Sequence, residues 1–175
     1  MSTYKIDPMH SEIMFKVKHM MITNVTGKFS SFDATMTTSG DDFSGASIQF
    51  EADIDSIDTG NGQRDGHLKS DDFFNSEKFP KLSFTSTGFT KISDDEYKLK
   101  GNITIRDITK EIELDVNYGG TMTDFYGQEK SGFELTGKIN RKDFDLKWSA
   151  VTEAGGVVVA DEIKLQLAVQ MIKQA

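Results

Sequence analysis

The sequence predicts an all-β fold, an antiparallel barrel of about eight strands with one short helical plug. Three observations carry that expectation. Most of the chain alternates apolar and polar residues at the two-residue period of a strand buried on one face. Short polar turns separate these runs at fairly even spacing. One stretch, Gln63 to Pro80, abandons the alternation and gathers Arg64, His67, several acids and three Phe.

Tyr4 to Pro8 is a short extended opening, with Pro8 at an edge or turn because it has no N–H to give a ladder. Between Glu12 and Lys18, Ile13, Phe15 and Val17 share one face. His19 to Val25 breaks that period, and a bulge or short helical turn is expected there. Gly27 restarts a strand in which Phe32, Ala34 and Met36 share a face, and Gly40-Asp41-Asp42 is a loop. The cleanest alternation follows: Ala46, Ile48, Phe50, Ala52 and Ile54 inward, with Ser47, Gln49, Glu51 and Asp53 outward.

The Thr59-Gly60-Asn61-Gly62 turn supplies Asn61 as a helix cap. Arg64, Leu68 and Asp71 or Asp72 then fall at helical spacing, with Leu68 facing inward. Gly66 costs such a helix about 1 kcal/mol relative to Ala, so the helix is short and held by packing. Pro80 returns the chain to extended structure, since it restricts the residue before it.

Alternation resumes with Leu82 and Phe84, then with Tyr97, Leu99, Gly101, Ile103 and Ile105 after a Ser93–Glu96 hairpin loop. Ile112, Leu114, Val116 and Tyr118 follow the Asp107 turn. A flexible connection is expected from Gly119-Gly120 to Gly127. Phe133, Leu135, Gly137 and Ile139 form the next strand, and Asn140 to Phe144 interrupts the pattern. Gly155-Gly156 is a turn before a last strand with Ile163, Leu165, Leu167, Val169 and Met171 inward. Periodicity alone is equally compatible with a sandwich. Gly101, Gly137, Ala34 and Ala52 on inward faces favour a barrel with room inside, because eight strands can enclose one small ligand.

With 175 residues and neither a linker nor a low-complexity segment, residues 1–175 read as one domain. The net charge of −8 argues against nucleic acid and against general adsorption to anionic membranes. No run is apolar for the ~18 residues of a membrane span, so no stable membrane insertion is expected. Cys is absent, and the first residues carry no apolar leader, so a cytoplasmic location is expected.

Many of these pieces together resemble the YceI-like family. They are Tyr4-Lys5-Ile6-Asp7-Pro8 with His10-Ser11, Phe15 to Met20, Gly27-Lys28-Phe29, Ser56 to Gly60, Arg64-Asp65 with His67-Leu68, and Asp72-Phe73-Phe74. Phe79-Pro80, Phe84 to Thr87, Gly101 to Arg106, and Ile139-Asn140-Arg141 with Asp143-Phe144 complete the set. The resemblance implies an extended lipocalin-like barrel around a long amphiphile: a polyprenyl phosphate, an isoprenoid quinone or a fatty amide. The family usually has Gly at the positions of Asp107 and Asp145; Asp tolerates the left-handed conformation better than most residues. Many relatives are exported.

The chemistry points to binding rather than turnover. There is no nucleophile elbow, phosphate loop or metal-ligand spacing, and His10, His19 and His67 are not paired as zinc ligands. No catalytic residue, metal or dedicated cofactor is expected, beyond a bound isoprenoid or quinone-like lipid. Arg64-Asp65 reads as a local ion pair or, with His67, as a head-group holder at the cavity mouth; Arg141 carries the same two readings. Thirteen Phe and eight Met supply aromatic and adaptable surface. The expected site places the head group near Arg64, His67, His19 and Arg141. The tail lies along Phe15, Phe29, Phe32, Phe84 and Trp148, with Leu68, Phe74 and Phe144 beside it. The alternatives are an enzyme acting on a lipid and a protein-interaction module with a filled barrel, using a strand edge or a second copy of the chain.

Overall fold

The computed structural model describes residues 1–40, 42–148 and 159–175. The first half of the chain forms β1 (Ser2–Ile6), β2 (Glu12–His19), β3 (Thr23–Phe29), β4 (Phe32–Thr38), β5 (Ser47–Asp53) and β6 (Ile57–Asp58). Then come helix α1 (Gly62–Lys69) and five long strands: β7 (Lys81–Lys91), β8 (Glu96–Ile105), β9 (Ile108–Thr123), β10 (Glu129–Asn140) and β11 (Val159–Lys173). Every pairing is antiparallel, and β1 joins β11 to close an eight-stranded ring.

Three of the eight paths are broken strands. β1 and β2 together run along β11, separated by a 3-10 turn at Pro8–His10 whose Asp7 carboxylate caps Met9 N–H. β3 and β4 form the neighbouring path, with Ser30 and Ser31 at the break. β5 and β6 form the third, broken at Ile54–Ser56. Breaks of this kind let a twisted sheet bend enough to close.

The alternation places the core where expected. Ala34, Ala52, Leu82, Phe84, Leu99, Ile103, Leu114, Val116, Phe133 and Met171 are all buried, while their neighbours in sequence face water. Several local expectations need correction. His19 to Val25 contains a hairpin turn at Met20–Ile22, neither a bulge nor a helical turn; β2 continues to His19 and β3 starts at Thr23. β9 runs without a flexible connection to Thr123, and a register shift at Gly132/Phe133 absorbs the irregularity. Asn140 to Phe144 becomes a 3-10 turn ending at Asp145, which takes a left-handed φ of 60° as its family position implies. At the β8–β9 turn the left-handed residue is Arg106 (φ 56°) and not Asp107. The Gly155-Gly156 turn lies outside the described residues.

The inward glycines have a different use from the one expected. A Cβ on Gly101 would sit 2.4 Å from the Phe84 ring, one on Gly27 2.3 Å from Phe15, and one on Gly137 2.3 Å from Leu114. Each glycine is therefore covered by a neighbour's side chain lying flat across it. They do not leave empty space; they let large side chains lie against the barrel wall and leave the centre open.

The two ends differ. At one end, Phe43 turns inward (8% exposed) among Tyr4, Tyr97, Tyr118 and Phe133, with ring centroids 5.0 to 6.4 Å away. At the other end β3 pairs only with β2 from Thr23 to Gly27, and β7 pairs with β5 but not β6. α1 and the loop after it occupy the position between them in the chain.

Candidate functional site

The wall of the barrel encloses a cavity of about 220 Å³ lined almost entirely by apolar side chains. Phe15, Phe29 and Phe74 lie towards α1, and Phe84, Phe89 and Leu99 belong to β7 and β8. Ile163, Leu165, Leu167 and Val169 supply the β11 wall. A second space of about 560 Å³ lies beside α1. Its lining adds a polar set: Lys18, His19, Thr59, Asn61, Gln63, Arg64 and His67, with Trp148. Phe15, Val17, Leu68, Phe73 and Val159 line both spaces, so the two adjoin across a single apolar collar.

The plug is built as its sequence requires. Asn61 Oδ1 accepts from Arg64 N–H at 3.0 Å, the expected cap. Asp65 accepts from Thr59 N–H (3.0 Å) and Oγ1–H (2.5 Å), tying the first turn back to the chain leaving β6. No residue of α1 is fully buried. The loop beyond it is clamped from the β8–β9 turn: Arg106 Nη1 donates to the Asp71 and Phe73 carbonyls (2.9 and 2.6 Å), and Nη2 to Asp71 Oδ1 at 2.9 Å. The same guanidinium lies 5.5 Å over the Phe79 ring. Arg106 holds Phe73 in the collar.

Of the expected head-group residues, His19, His67 and Arg64 come together in the second space. Arg64 and Asp65 do not pair directly. Both use Thr59, with Arg64 Nε donating to its Oγ1 (2.8 Å) and Nη2 to its carbonyl (2.7 Å). His67 Nε2 meets Asp72 Oδ2 at 2.8 Å, and its ring packs edge-on against Phe73 and Trp148 at 5.2 and 4.9 Å.

Arg141 borders the inner cavity and not the polar space. It is 1% exposed, and its guanidinium donates to four carbonyls: Ala160 (2.9 Å), Leu146 (2.5 Å), Trp148 (2.7 Å) and Val159 (3.2 Å). Burial lowers its pKa while Asp161 opposes that, but a guanidinium starts too high to lose its proton. Its donors are committed to carbonyls of the segment after β10 and of the start of β11, so they are not offered to a head group. Among the expected tail residues, Phe15, Phe29, Leu68, Phe74 and Phe84 line the cavity and Trp148 lines the outer space. Phe32 instead stacks on Phe50 at 6.5 Å, and Phe144 is core (1% exposed); neither lines either space. His10 lies away from the other two histidines, bonded to Asp7 at 2.8 Å. Among the described residues no cluster of His, Asp and Glu is arranged to hold a metal ion.

The match to a YceI-like domain model runs from residue 4 to residue 171. The chain belongs to the YceI-like family. A UPF0312 protein of Staphylococcus aureus is 34% identical over 167 residues, covering 95% of each chain. A YceI protein of Campylobacter jejuni is also 34% identical, with a TM-score of 0.77 over 90% of each chain. Two further solved structures share the fold at lower identity. Burkholderia cenocepacia BcnA has a TM-score of 0.82 at 19% identity, covering 94% of this chain and 98% of that one. A polyisoprenoid binding domain from Saccharophagus degradans has 0.71 at 14%, covering 98% of each.

Proposed function

We propose that this YceI-like barrel binds one long-chain isoprenoid-type amphiphile and stores or transports it without changing it chemically. The observation that carries this reading is an apolar cavity opening, through the collar of Phe15, Val17, Leu68, Phe73 and Val159, into a polar-rimmed space. A tail is satisfied by any apolar wall, whereas a head group taken out of water needs partners. The S. degradans neighbour of the same fold is a polyisoprenoid binding domain, which supports a lipid tail as the ligand class.

The rim favours an uncharged head. Thr59, Asn61, Gln63, His19 and His67 supply hydrogen-bonding groups, Arg64 is engaged by Thr59, Arg141 is committed elsewhere, and Lys18 adds a single cation without an arginine fork. A quinone or amide fits this set better than a phosphate, which calls for open Arg forks. A long tail exceeds the 220 Å³ cavity, so it extends through the collar into the outer space. Organic extraction of the purified protein followed by mass spectrometry tests the proposal. An isoprenoid quinone or a related amphiphile in the extract is expected. An empty extract, together with no uptake of a quinone analogue, contradicts it.

A further inference from the structure

The outer face of the barrel carries an unusual alignment of charge beside the mouth. Lys138 on β10 is directly opposite Lys164 on β11, and Lys164 is directly opposite Lys16 on β2. Lys18 follows Lys16 on the same face, and Lys28 lies on that face of β3, opposite Met14 on one side and Asp58 on the other. Like charges in direct register destabilise a sheet. None of these five lysines makes an ion pair among the described residues, in a chain of net charge −8. No acid lies between Ile13 and Phe29; Glu162, opposite Asn140, is the nearest acid along β11. Lysines often guard open strand edges, but Lys164 and Lys16 are paired on both sides, where no guard is needed, while Lys138 lies just beyond the last β9–β10 pair, Thr136 with Asp115.

The strip leads to the tip of the β2–β3 hairpin. Ile22 N–H closes that turn on His19 carbonyl at 3.2 Å, and the two central residues, Met20 and Met21, have φ of 52° and 60°. Two positive φ values in succession are what Asn-Gly adopts without strain and what methionine resists. Met20, Met21 and Ile22 are nonetheless 45%, 63% and 80% exposed. The chain therefore keeps three apolar side chains in water on a backbone that disfavours two of them. Such a local conflict marks a functional position.

We infer that this hairpin and its lysine strip dock the mouth of the barrel onto an anionic lipid surface. The inference rests on the proposed function, since it supplies the route by which a tail reaches the cavity. At about 3.3 Å per residue, Lys18 lies roughly 7 Å and the Lys16 row roughly 13 Å behind Met20. An apolar tip inserted roughly 5–10 Å into the interface brings Lys18 to the head groups and keeps the row within reach of their field. Val17, Lys18, His19 and Val25 of the same hairpin line the outer space, so a docked tip brings the mouth to the membrane.

The test is co-sedimentation of the 175-residue chain with vesicles of phosphatidylcholine alone and with one third phosphatidylglycerol, at low and high salt. Wild type is expected on the anionic vesicles only, and less at high salt. The combined variant Met20→Asn, Met21→Gly, Ile22→Thr is expected to lose binding at least ten-fold while melting no lower than wild type, because Asn-Gly suits the turn. Lys138→Gln, Lys164→Gln and Lys16→Gln are each expected to weaken binding about five-fold. Phe125→Ser with Tyr126→Ser, exposed on the β9–β10 hairpin at the opposite end, is expected to leave it unchanged. Failure of wild type to bind, or binding by the tip variant at the wild-type level, overturns the inference. Equal binding to a soluble polyanion, unaffected by the tip, does so too. Mass spectrometry of the extract is read separately: lipid inside without vesicle binding sinks only the docking, and vesicle binding with an empty barrel sinks only the proposed function.

Discussion

At one end of the barrel an aromatic ring is held by aromatic rings; at the other, a helix is held by polar clamps. Phe43 is buried among Tyr4, Tyr97, Tyr118 and Phe133, contacts that separate only if the wall opens. α1 has no fully buried residue and is fastened by Asn61, Thr59, Asp65 and Arg106 through hydrogen bonds at the water interface. Bonds of that kind exchange with water at little net cost, whereas buried aromatic area does not. The difference teaches which end is built to stay shut and which to yield. Local opening is drawn from elements with little buried apolar area, and α1, with no fully buried residue, is such an element.

The strongest way to break the comparison is to empty the closed end. Phe43→Ala should cost about 3–5 kcal/mol, lowering the melting temperature by on the order of 10 °C. Calorimetry showing a much smaller loss would mean the two ends are equally soft. Next comes Arg141→Met, which leaves the carbonyls of Leu146, Trp148, Val159 and Ala160 without their donor. A loss of about 1–3 kcal/mol is expected in urea melts, with affinity for a quinone analogue kept in the folded fraction. Weakened affinity at undiminished stability would instead return Arg141 to the head-group site.

Arg106→Ala sharpens the comparison at the mouth. Its effect on stability should stay within roughly 1–2 kcal/mol, because the Asp71 carboxylate that it pairs with is exposed. Amide exchange across residues 68–79 should accelerate, and bound analogue should leave faster, with exchange around Phe43 unchanged. Uniform acceleration would show that Arg106 supports the whole barrel and not the plug.

The smallest effect concerns pH. Burial alone raises the Asp7 pKa, but bonds from Lys130 (2.9 Å), His10 and Met9 N–H outweigh it, leaving the carboxyl below its ordinary value. A lowered folded-state pKa stabilises the fold above the unfolded value near 4 and loses that stability as pH falls through the folded value. The difference in melting temperature between wild type and Asp7→Asn should thus be full at pH 6 and shrink below about pH 4. A difference that stays constant to pH 3 would contradict the assignment.

Much of this was legible in the sequence, for a physical reason: a wall with one wet and one dry face writes its period into every strand. The inward sets of β5, β8, β10 and β11 were readable residue by residue. So was the helix behind Asn61, because a cap is a local interaction. What stayed hidden depends on contacts between distant residues. Phe43 lies in a loop with no period to reveal it. Arg106 clamps a segment more than thirty residues away in the chain. Arg64 and Arg141 look alike as lone cations near pattern breaks, and only the carbonyls of 146, 148, 159 and 160 separate the structural arginine from the one at the mouth. The role of the glycines was also hidden, because the pattern shows that they face inward but not that Phe84, Phe15 and Leu114 lie over them.

Trp148 permits the most direct test. It is the sole tryptophan, it lines the outer space, and it packs 4.9 Å from His67 and 5.7 Å from Phe73 of the collar. Titrating lipid-stripped protein with an isoprenoid quinone analogue should change its emission and saturate at one equivalent per chain. The Phe73→Ala variant should shift the curve to weaker affinity. An analogue that binds, as shown by its recovery with the protein on gel filtration, while Trp148 emission stays constant would contradict a ligand seated through this mouth.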